Sequence, residues 1–252
     1  MDSVNAKTIW IIGASSGIGK ALAKELAKRG AKLALSARSE DKLKNLANEL
    51  GDGHVVAPMD VTNEKEFNDA RDNILKTFSR IDSVIYLAAI YSSDDKQKQN
   101  MAFISKIIDV NIKGAFQCVD VITPQFETQG SGQIVLCASI AGYSGLPNGQ
   151  PYSATKAALL NLAESLKIEM ESKNITVKVI SPGFVKTQLT DQNDFDMPFI
   201  IEPEEAAIAI ADGLTTSKFE IHFPKRLTFI MKFLRILPYC LYMPIARKIN
   251  DR

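Results

Sequence analysis

Short apolar runs alternate with longer amphipathic stretches along the whole chain. The runs predict β-strands at Thr8–Gly13, Lys32–Ala37, His54–Asp60, Asp82–Ala88, Gln133–Ala138, Thr176–Ser181 and Phe219–Phe223. Between them, apolar residues at helical spacing predict helices over Ile18–Arg29, Glu40–Leu50, Glu64–Phe78, Met101–Phe126, Tyr152–Glu171 and Pro203–Leu214. We find no linker, repeat or low-complexity segment in the sequence. The pattern therefore predicts one α/β domain.

Regular alternation of strand and helix predicts a parallel sheet that right-handed crossovers cover on both faces. The best fit is a doubly wound sheet of about seven strands, an architecture that binds dinucleotides where the strands end. We expect it to span residues 1–224 as a single domain, with residues 225–252 as a basic amphipathic extension. The chain of 252 residues, 46% of them hydrophobic, is long enough for a core of this size.

Charge and cysteine content narrow the classes of function. A net charge of +1 gives no field that favours nucleic acid as a partner. Cys118, Cys137 and Cys240 are odd in number and lack metal-ligand spacing, so we expect reduced thiols, a cytoplasmic location and no metal. The first apolar run leads directly into glycines and reads as a strand, so we expect no signal peptide.

The segment Gly13-Ala14-Ser15-Ser16-Gly17-Ile18-Gly19 joins the first predicted strand to the first helix. Backbone N–H groups and the positive end of a helix dipole receive a pyrophosphate at such a turn, and missing side chains let it approach. The same glycines also suit a tight turn without a ligand. Their position after the first strand favours the dinucleotide interpretation.

The ends of the second and third strands indicate which cofactor is bound. Ser36-Ala37-Arg38 has no carboxylate for a ribose 2′-hydroxyl, whereas the Arg38 guanidinium suits a 2′-phosphate. The alternative is a solvated surface arginine. Asp60 either accepts a hydrogen bond from the adenine amino group or forms a turn before Thr62. We expect NADP(H) to be preferred over NAD(H).

Ser139, Tyr152 and Lys156 form the candidate catalytic group. Tyr152 and Lys156 are four residues apart, so they lie on one side of a helix. A phenol normally titrates near pH 10. Beside an ammonium group and a nicotinamide cation its ionised form is favoured, which makes its proton transferable near neutrality.

With these motifs in this order, the chain resembles the short-chain dehydrogenase/reductase family from Thr8 to about Phe223. The resemblance rests also on Asp60-Val61, Val110-Asn111-Ile112-Lys113-Gly114, and Pro182-Gly183 followed by Thr187. It implies a Rossmann fold and an oxidoreductase that transfers a hydride between NADP(H) and a carbonyl or alcohol.

The resemblance also implies a role for each site residue. Tyr152 would exchange the proton, Lys156 would hold the nicotinamide ribose, Ser139 would bind the substrate oxygen, and Asn111 would hold a water that links Lys156 to solvent. The implied cofactor contacts are Gly13, Ser15, Ser16, Gly17, Ile18, Gly19, Arg38, Asp60, Val61, Ala88, Asn111, Tyr152, Lys156, Pro182, Gly183, Val185 and Thr187.

Two features depart from the family pattern. Tyr86-Leu87-Ala88-Ala89 stands where Asn-Asn-Ala-Gly is common, and Ile12 replaces a typical threonine. We expect the lost amides to remove hydrogen bonds that brace the sheet, and Ala89 to restrict the backbone.

The segment from Thr187 to Pro203 lies where the family has its substrate lid. Its apolar residues are Phe195, Met197, Phe199 and Ile200, which indicates an apolar substrate if they face the cleft. They are equally consistent with a lid that packs against its own domain.

The C-terminus is basic: residues 223–252 hold seven basic residues and one acidic residue, Asp251. Lys225, Thr228, Lys232 and Arg235 form a polar stripe beside an apolar face that contains Leu227, Phe229, Ile230, Phe233, Leu234 and Leu237. Such a helix suits an anionic membrane surface, or a cover for the substrate cleft or a subunit interface. Charged residues and prolines interrupt it too often for a spanning helix.

The resemblance implies a homodimer or homotetramer that pairs the helices Met101–Phe126 and Tyr152–Glu171. Phe103, Ile107, Ile108 and Phe116 belong either to that interface or to the core. Two other functions remain as alternatives: a nucleotide-sensing module without turnover, and a membrane-surface scaffold that uses the basic tail. The joint spacing of Ser139, Tyr152 and Lys156 favours catalysis over both.

Overall fold

A computed structural model describes residues 3–250 and contains a parallel sheet of seven strands. The strands are β1 (Thr8–Ile12), β2 (Lys32–Ser36), β3 (Val55–Val56), β4 (Ser83–Tyr86), β5 (Gly132–Cys137), β6 (Ile175–Pro182) and β7 (Glu220–Phe223). Their order across the sheet is β3-β2-β1-β4-β5-β6-β7, and every neighbouring pair is parallel. The predicted doubly wound sheet is confirmed.

Helices cover both faces of the sheet. They are α1 (Gly17–Lys28), α2 (Glu40–Leu50), α3 (Glu64–Phe78), α4 (Asp95–Lys98), α5 (Met101–Ile108), α6 (Gly114–Gln129), α7 (Tyr152–Glu169), α8 (Pro203–Leu214), α9 (Lys225–Arg235) and α10 (Tyr239–Asn250). Alternate residues of β1 point to opposite faces: Ile9 and Ile11 join a core with α1, α2 and α8, while Trp10 and Ile12 join one with α3, α6 and α7.

Two elements differ from the sequence prediction for local reasons. The predicted strand His54–Asp60 is reduced to Val55–Val56 at the edge of the sheet, where Pro58 is tolerated because the N–H of its position would face away from β2. The N–H groups of Ala57 and Met59 still donate to the carbonyls of Leu35 and Ala37, at 3.0 and 3.1 Å. The long helix predicted from Met101 contains a π-helical turn at Asp109–Lys113, which separates α5 from α6.

The strand order reverses beside β1, because the chain passes from β3 at one edge back to β4 on the other side of β1. Ligands of open α/β sheets bind at such a reversal, beyond the carboxyl ends of the strands. The backbones after β1 and β4 touch there: a Cβ on Gly13 would lie 2.8 Å from the Ala88 nitrogen. Only glycine allows this contact, since Gly13 also has a φ of +98°.

Helices α9 and α10 pack against the same core as α6 and α7. Leu227, Met231, Leu234, Tyr242 and Ala246 are buried in it. The Tyr242 hydroxyl also donates to the Gly145 carbonyl, which ties α10 to the loop before α7. Within the described range, residues 3–250, no helix combines the length and apolar character needed to cross a membrane.

Polar contacts fix α9 to β7 and α7. Thr228 is fully buried and lies 2.6 Å from His222 Nδ1, while its hydroxyl donates to the Lys225 carbonyl. The ring nitrogen therefore donates to Thr228. Lys232 pairs with Glu220 at 2.6 Å, and Arg235 pairs with Glu164 at 3.4 Å.

We expect the packing of His222 against Thr228 and α9 to make the stability of the fold depend on pH. Burial, and then the charges of Lys232 and Lys225, lower the pKa of His222 from 6.5 to about 4. Between these values the unfolded chain binds a proton that the folded chain does not. The contribution is therefore fully present above pH 6.5 and is lost as the pH falls to about 4.

A His222→Asn variant removes this titration. Thermal unfolding of both proteins across that pH range should show a steeper loss of Tm on acidification for the wild type. His54 is present in both proteins, so its own titration cancels. Parallel pH profiles would contradict the prediction.

Candidate active site

The glycine-rich segment forms a tight turn that opens α1. Gly17 has a φ of +50°, and a Cβ on Gly19 would lie 2.1 Å from the Gly13 carbonyl oxygen. Ser16 is the N-cap residue, and in the described part of the chain its hydroxyl makes no capping bond to α1. The first N–H groups of α1 therefore keep their capacity to bind an anion. Thr187 packs over this turn, 3.1 Å from the position of a Gly17 Cβ.

A cavity of about 1630 Å³ runs from this turn to the segment after β6. It brings together nearly all of the residues that the sequence indicates: Gly13, Ser15, Ser16, Gly17, Ile18, Gly19, Arg38, Asp60, Val61, Ala88, Ser139, Tyr152, Lys156, Pro182, Gly183, Val185 and Thr187 line it. Of the predicted set, Asn111 does not line the cavity. The glycine turn and the volume of the cavity fit a dinucleotide.

Tyr152, Lys156 and Ser139 converge at the middle of the cavity. Tyr152 begins α7, and Lys156 follows one turn later with its Nζ 5.4 Å from the Tyr152 ring centroid. Lys156 is buried and donates to the Cys137 carbonyl at 2.7 Å. Ser139 lies just beyond β5, where its hydroxyl accepts from the Ala141 N–H at 3.1 Å. The end of β5 thus positions both the lysine and the serine against the tyrosine.

The pKa values of this group differ in direction from the sequence expectation. Burial, reinforced by Cys137, raises the pKa of the Tyr152 phenol well above its ordinary value, and a hydrogen bond with Ser139 only partly opposes this. Burial also lowers the pKa of the Lys156 ammonium. The protein's own groups therefore keep Tyr152 protonated near neutrality. The ionised phenol that we expected would depend on the positive charge of a bound nicotinamide.

Asn111 lies in the π-helical turn and is fully buried. Its Oδ1 accepts from the Ile90 N–H at 2.9 Å, and its Nδ2 donates to the Ile90 carbonyl and to the Thr155 hydroxyl, both at 3.1 Å. The amide thereby joins the chain after β4 to α7 next to Lys156. π-Helical turns within helices are frequent at functional sites.

Tyr86, in the altered motif, makes a buried hydrogen bond of its own. Its buried hydroxyl donates to the Val110 carbonyl at 2.5 Å, within the π-helical turn. A Cβ on Gly114 would lie 2.3 Å from that hydroxyl, so glycine is needed opposite the phenol. Ala89 is not among the non-glycine residues with positive φ, so alanine imposes no backbone strain there. The Tyr86 hydroxyl thus provides a hydrogen bond from this altered segment to the π-helical turn.

Arg38 and Asp60 lie at the end of the cavity beyond β2 and β3. Asp60 Oδ1 accepts from the N–H and hydroxyl of Thr62, at 2.9 and 2.8 Å, so the turn anticipated as an alternative is present. Burial opposes ionisation, but these bonds and the charge of Arg38 hold the pKa of Asp60 below its usual value. Lys42, in the first turn of α2 and four residues after Arg38, also lines the cavity. The sequence analysis missed it, although a basic residue at that spacing was visible.

The predicted lid is a loop whose ends are tied together. Lys186 donates to the Ile201 carbonyl at 2.9 Å, and Ile201 donates to the Phe184 carbonyl at 3.1 Å. Phe195 and Phe199 line the cavity, and Phe195 packs edge-on against Phe184 at 5.9 Å. Met197 and Ile200 do not line it. The lid therefore offers two of its four predicted apolar side chains to the cavity.

Tyr91 joins the lid to the catalytic group, and no sequence spacing indicated it. Its ring packs edge-on against Tyr152 at 5.2 Å, and its hydroxyl donates to Asn193 Oδ1 at 2.7 Å. Ser93 donates to the Gln192 carbonyl at 2.5 Å. The loop after β4 is thus bonded to the lid at two places.

Glu220 is a second residue that the sequence analysis missed. It accepts hydrogen bonds from the Tyr143 hydroxyl and, at 2.6 Å, from Ser181, in addition to its pair with Lys232. Tyr143 follows the Ser139 turn, and Ser181 precedes Pro182. Glu220 therefore connects α9 to the segment after Ser139 and to the end of β6, which both border the cavity. Its signal was a lone charge in a short strand, which is too weak to interpret.

Comparison with known proteins agrees with this geometry. The family description "short chain dehydrogenase" matches residues 7–197. An uncharacterized oxidoreductase from Staphylococcus haemolyticus is 36% identical over 216 residues, which cover 85% of this chain and 94% of that protein. An uncharacterized oxidoreductase from Myxococcus xanthus is 31% identical over 253 residues, 99% of this chain and 100% of that one.

Two solved structures show the same fold. A short chain dehydrogenase from Burkholderia cenocepacia in complex with NADP has a TM-score of 0.83 at 21% identity, and the match covers 96% of this chain and 98% of that one. A 3-ketoacyl-(acyl-carrier-protein) reductase from Brucella melitensis complexed with NADH has a TM-score of 0.80 at 24% identity, with 87% and 98% covered.

The protein therefore belongs to the short-chain dehydrogenase/reductase family. It is an NAD(P)-dependent oxidoreductase that acts on CH–OH groups or on the corresponding carbonyls. Within residues 3–250 there is no group of three or more His, Cys, Asp or Glu side chains that could hold a metal ion.

The Tyr86 contact predicts a loss of stability on removal of one oxygen. Tyr86→Phe leaves the buried Val110 carbonyl without its donor, which should lower the free energy of unfolding by about 1–3 kcal/mol. Urea unfolding measures it. Tyr239→Phe is the matched control, because Tyr239 is 78% exposed, and its effect should stay within about 0.5 kcal/mol. Equal effects of the two substitutions would show that the Tyr86 hydroxyl stabilises nothing.

Proposed function

We propose that the protein is an NADP(H)-dependent oxidoreductase that interconverts an apolar carbonyl compound and its alcohol. One observation carries this proposal: a single cavity contains the glycine turn at one end and Ser139, Tyr152 and Lys156 at the other. A bound nicotinamide supplies or accepts the hydride at the substrate carbon. The side chains below handle the oxygen and its proton.

In reduction, the Tyr152 hydroxyl gives its proton to the carbonyl oxygen, and in oxidation the phenolate removes it from the alcohol. Ser139 donates a hydrogen bond to the same oxygen as negative charge develops there. Lys156 binds the ribose hydroxyls and lowers the cost of the phenolate. Asn111 holds the backbone beside Lys156, where a water can connect the ammonium to solvent. Pro182, Gly183 and Thr187 border the nicotinamide.

The preference for NADP(H) rests on charge at the adenine end. Arg38 and Lys42 both line the cavity beyond β2, where a 2′-phosphate would lie. Arg38 offers a planar pair of donors to the phosphate. The solved structures compared above contain NADP in one case and NADH in the other, so the preference is argued from Arg38 and Lys42 alone.

Apolar side chains at the lid end of the cavity favour an apolar substrate. Phe184, Leu189, Phe195 and Phe199 line it from the segment after β6, and Ile230 lines it from α9. A polar substrate would leave its hydrogen-bonding groups unpaired against these side chains, at a cost of about 1–3 kcal/mol for each buried group.

We also propose a homodimer or homotetramer through the helices around α5, α6 and α7. Ile107 is buried in the core, whereas Ile108 and Phe116 are exposed and remain free to contact a second copy. We place the protein in the cytoplasm, since its three cysteines are free thiols, with attachment to an anionic membrane surface through the C-terminal segment.

A nucleotide-sensing module or a membrane scaffold would not explain the arrangement of the candidate catalytic residues. Neither needs Ser139 and a buried Lys156 within contact range of Tyr152. The tail that would serve a scaffold also borders the catalytic cavity through Leu227, Ile230 and Met231.

Turnover tests the catalytic assignment. Tyr152→Phe removes only the hydroxyl, so turnover should fall by at least about a hundredfold, the lower range for general acid–base catalysis. Cofactor binding should stay nearly unchanged. Lys156→Ala should weaken both, and Tyr239→Phe should change neither. Cofactor absorbance across a panel of ketones, aldehydes and alcohols provides the measurement. Near-normal turnover of Tyr152→Phe on any accepted substrate overturns the assignment.

Titration of both cofactors tests the role of Arg38. A hydrogen bond to a charged group contributes about 1.5–3 kcal/mol, so Arg38→Ala should lose roughly tenfold or more in NADPH affinity and little in NADH affinity. Arg71→Ala, on α3, is the control. Equal losses for NADPH and NADH would make Arg38 a structural residue.

A further inference from the structure

The outward surface of α9 and α10 is unusually apolar. Phe229, Phe233 and Ile236 remain 61%, 60% and 76% exposed, although other apolar residues of the same helix are buried. We call the exposed side chains of these two helices the C-terminal surface. Its large apolar members are Phe229, Ile230, Phe233, Ile236, Tyr239, Leu241, Met243 and Ile245. Eight large exposed apolar side chains on two consecutive helices exceed the scattered apolar residues that are normal on a protein surface, which favours an interaction site.

The charge on this surface has one sign. From Lys225 to Asn250 the sequence has six basic residues and no acidic residue. Lys232 and Arg235 pair with Glu220 and Glu164 at the inner edge of α9. In the part of the chain that the structure describes, Arg226, Arg247 and Lys248 form no ion pair. Apolar side chains with such a basic rim suit acyl chains beneath anionic headgroups.

Charge also argues against a second copy as the occupant. A two-fold contact brings the same patch of each subunit against itself. Here it would place Arg226, Arg247 and Lys248 near their own counterparts, with no carboxylate on either helix to offset them. An anionic bilayer supplies the opposite charge, so it is the partner that fits.

The catalytic cavity opens at the edge of this surface. Ile230 of α9 and Ile245 and Lys248 of α10 are exposed and also line the cavity. The lid also lines this cavity and carries Asp194 and Asp196. The basic rim is therefore attracted to an anionic surface and the acidic lid is repelled. This asymmetry would place the opening of the cavity next to the lipid on the side of α9 and α10.

We propose that the C-terminal surface docks on an anionic bilayer and that the cavity takes its substrate, a lipid-soluble carbonyl or alcohol, directly from the membrane. The substrate part rests on the proposed catalytic function, and the docking part specifies the membrane attachment that was proposed with it. Substrate would enter past Ile230 and Ile245 towards Tyr152 without crossing bulk water.

Vesicle co-sedimentation of the full chain tests docking. The wild type should bind phosphatidylcholine vesicles that contain phosphatidylglycerol, bind pure phosphatidylcholine weakly, and detach as salt rises. Arg226→Glu with Arg247→Glu should weaken binding at least about tenfold, since each basic residue near the surface contributes about 1 kcal/mol. Phe233→Ser with Ile236→Ser should also weaken it about tenfold or more. Point variants are needed because α9 contributes core side chains.

The controls distinguish docking through the C-terminal surface from electrostatic or hydrophobic binding by other parts of the protein. Lys76→Glu on α3 and Ile208→Ser on α8 change exposed residues outside the C-terminal surface, and both should bind like the wild type. Tyr152→Phe should bind vesicles normally although it fails to turn over. Failure of the catalytic assignment would thus leave the docking result intact.

Turnover completes the test. The Phe233→Ser, Ile236→Ser variant should keep its rate on a short, water-soluble aldehyde and lose most of its rate on a long-chain aldehyde carried in anionic vesicles. The proposal is overturned if the wild type does not bind anionic vesicles at low salt. It is equally overturned if the variants bind as tightly as the wild type, or if they lose self-association instead, which would make the surface an interface between copies.

Discussion

The backbone contact between the turn after β1 and the end of β4 is the constraint on which the rest of the site depends. Gly13 and Gly19 allow the turn to fold against itself and against Ala88, where any side chain would collide with main-chain atoms. This contact brings the start of α1 to the reversal point of the sheet. The nucleotide end of the cavity is therefore fixed by main chain, so its position varies little with the side chains around it.

The fold was predictable because its signals are local and repeated. Alternating apolar runs and helical periods indicated every strand, and the glycine turn identified the edge of the sheet that binds ligand. Most of the site was also predictable, because Ser139, Tyr152 and Lys156 have fixed spacing and lie at ends of regular elements. Asn111 was only partly predictable. The sequence indicated its residue type and position, but not that its side chain bonds to Ile90 and Thr155.

The sequence could not indicate contacts between residues far apart in the chain. Tyr86 donates a hydrogen bond to Val110, and Tyr91 contacts both Tyr152 and Asn193. Glu220 gathers Tyr143, Ser181 and Lys232 from three different elements. None of these pairings leaves a period or a fixed interval in the sequence. Side-chain burial has the same limit: Thr228 read as part of a polar stripe, yet it is buried against His222.

The two bonds between the lid and the loop after β4 have a consequence for the catalytic cycle. A neutral hydrogen bond contributes a net of about 0.5–1.5 kcal/mol, so opening the Tyr91–Asn193 and Ser93–Gln192 contacts requires only about 1–3 kcal/mol. Taken alone, that free energy corresponds to about one molecule in five to one in a hundred and fifty with both contacts broken. Because Tyr91 also packs against Tyr152, breaking these two contacts would also free one side of the Tyr152 ring.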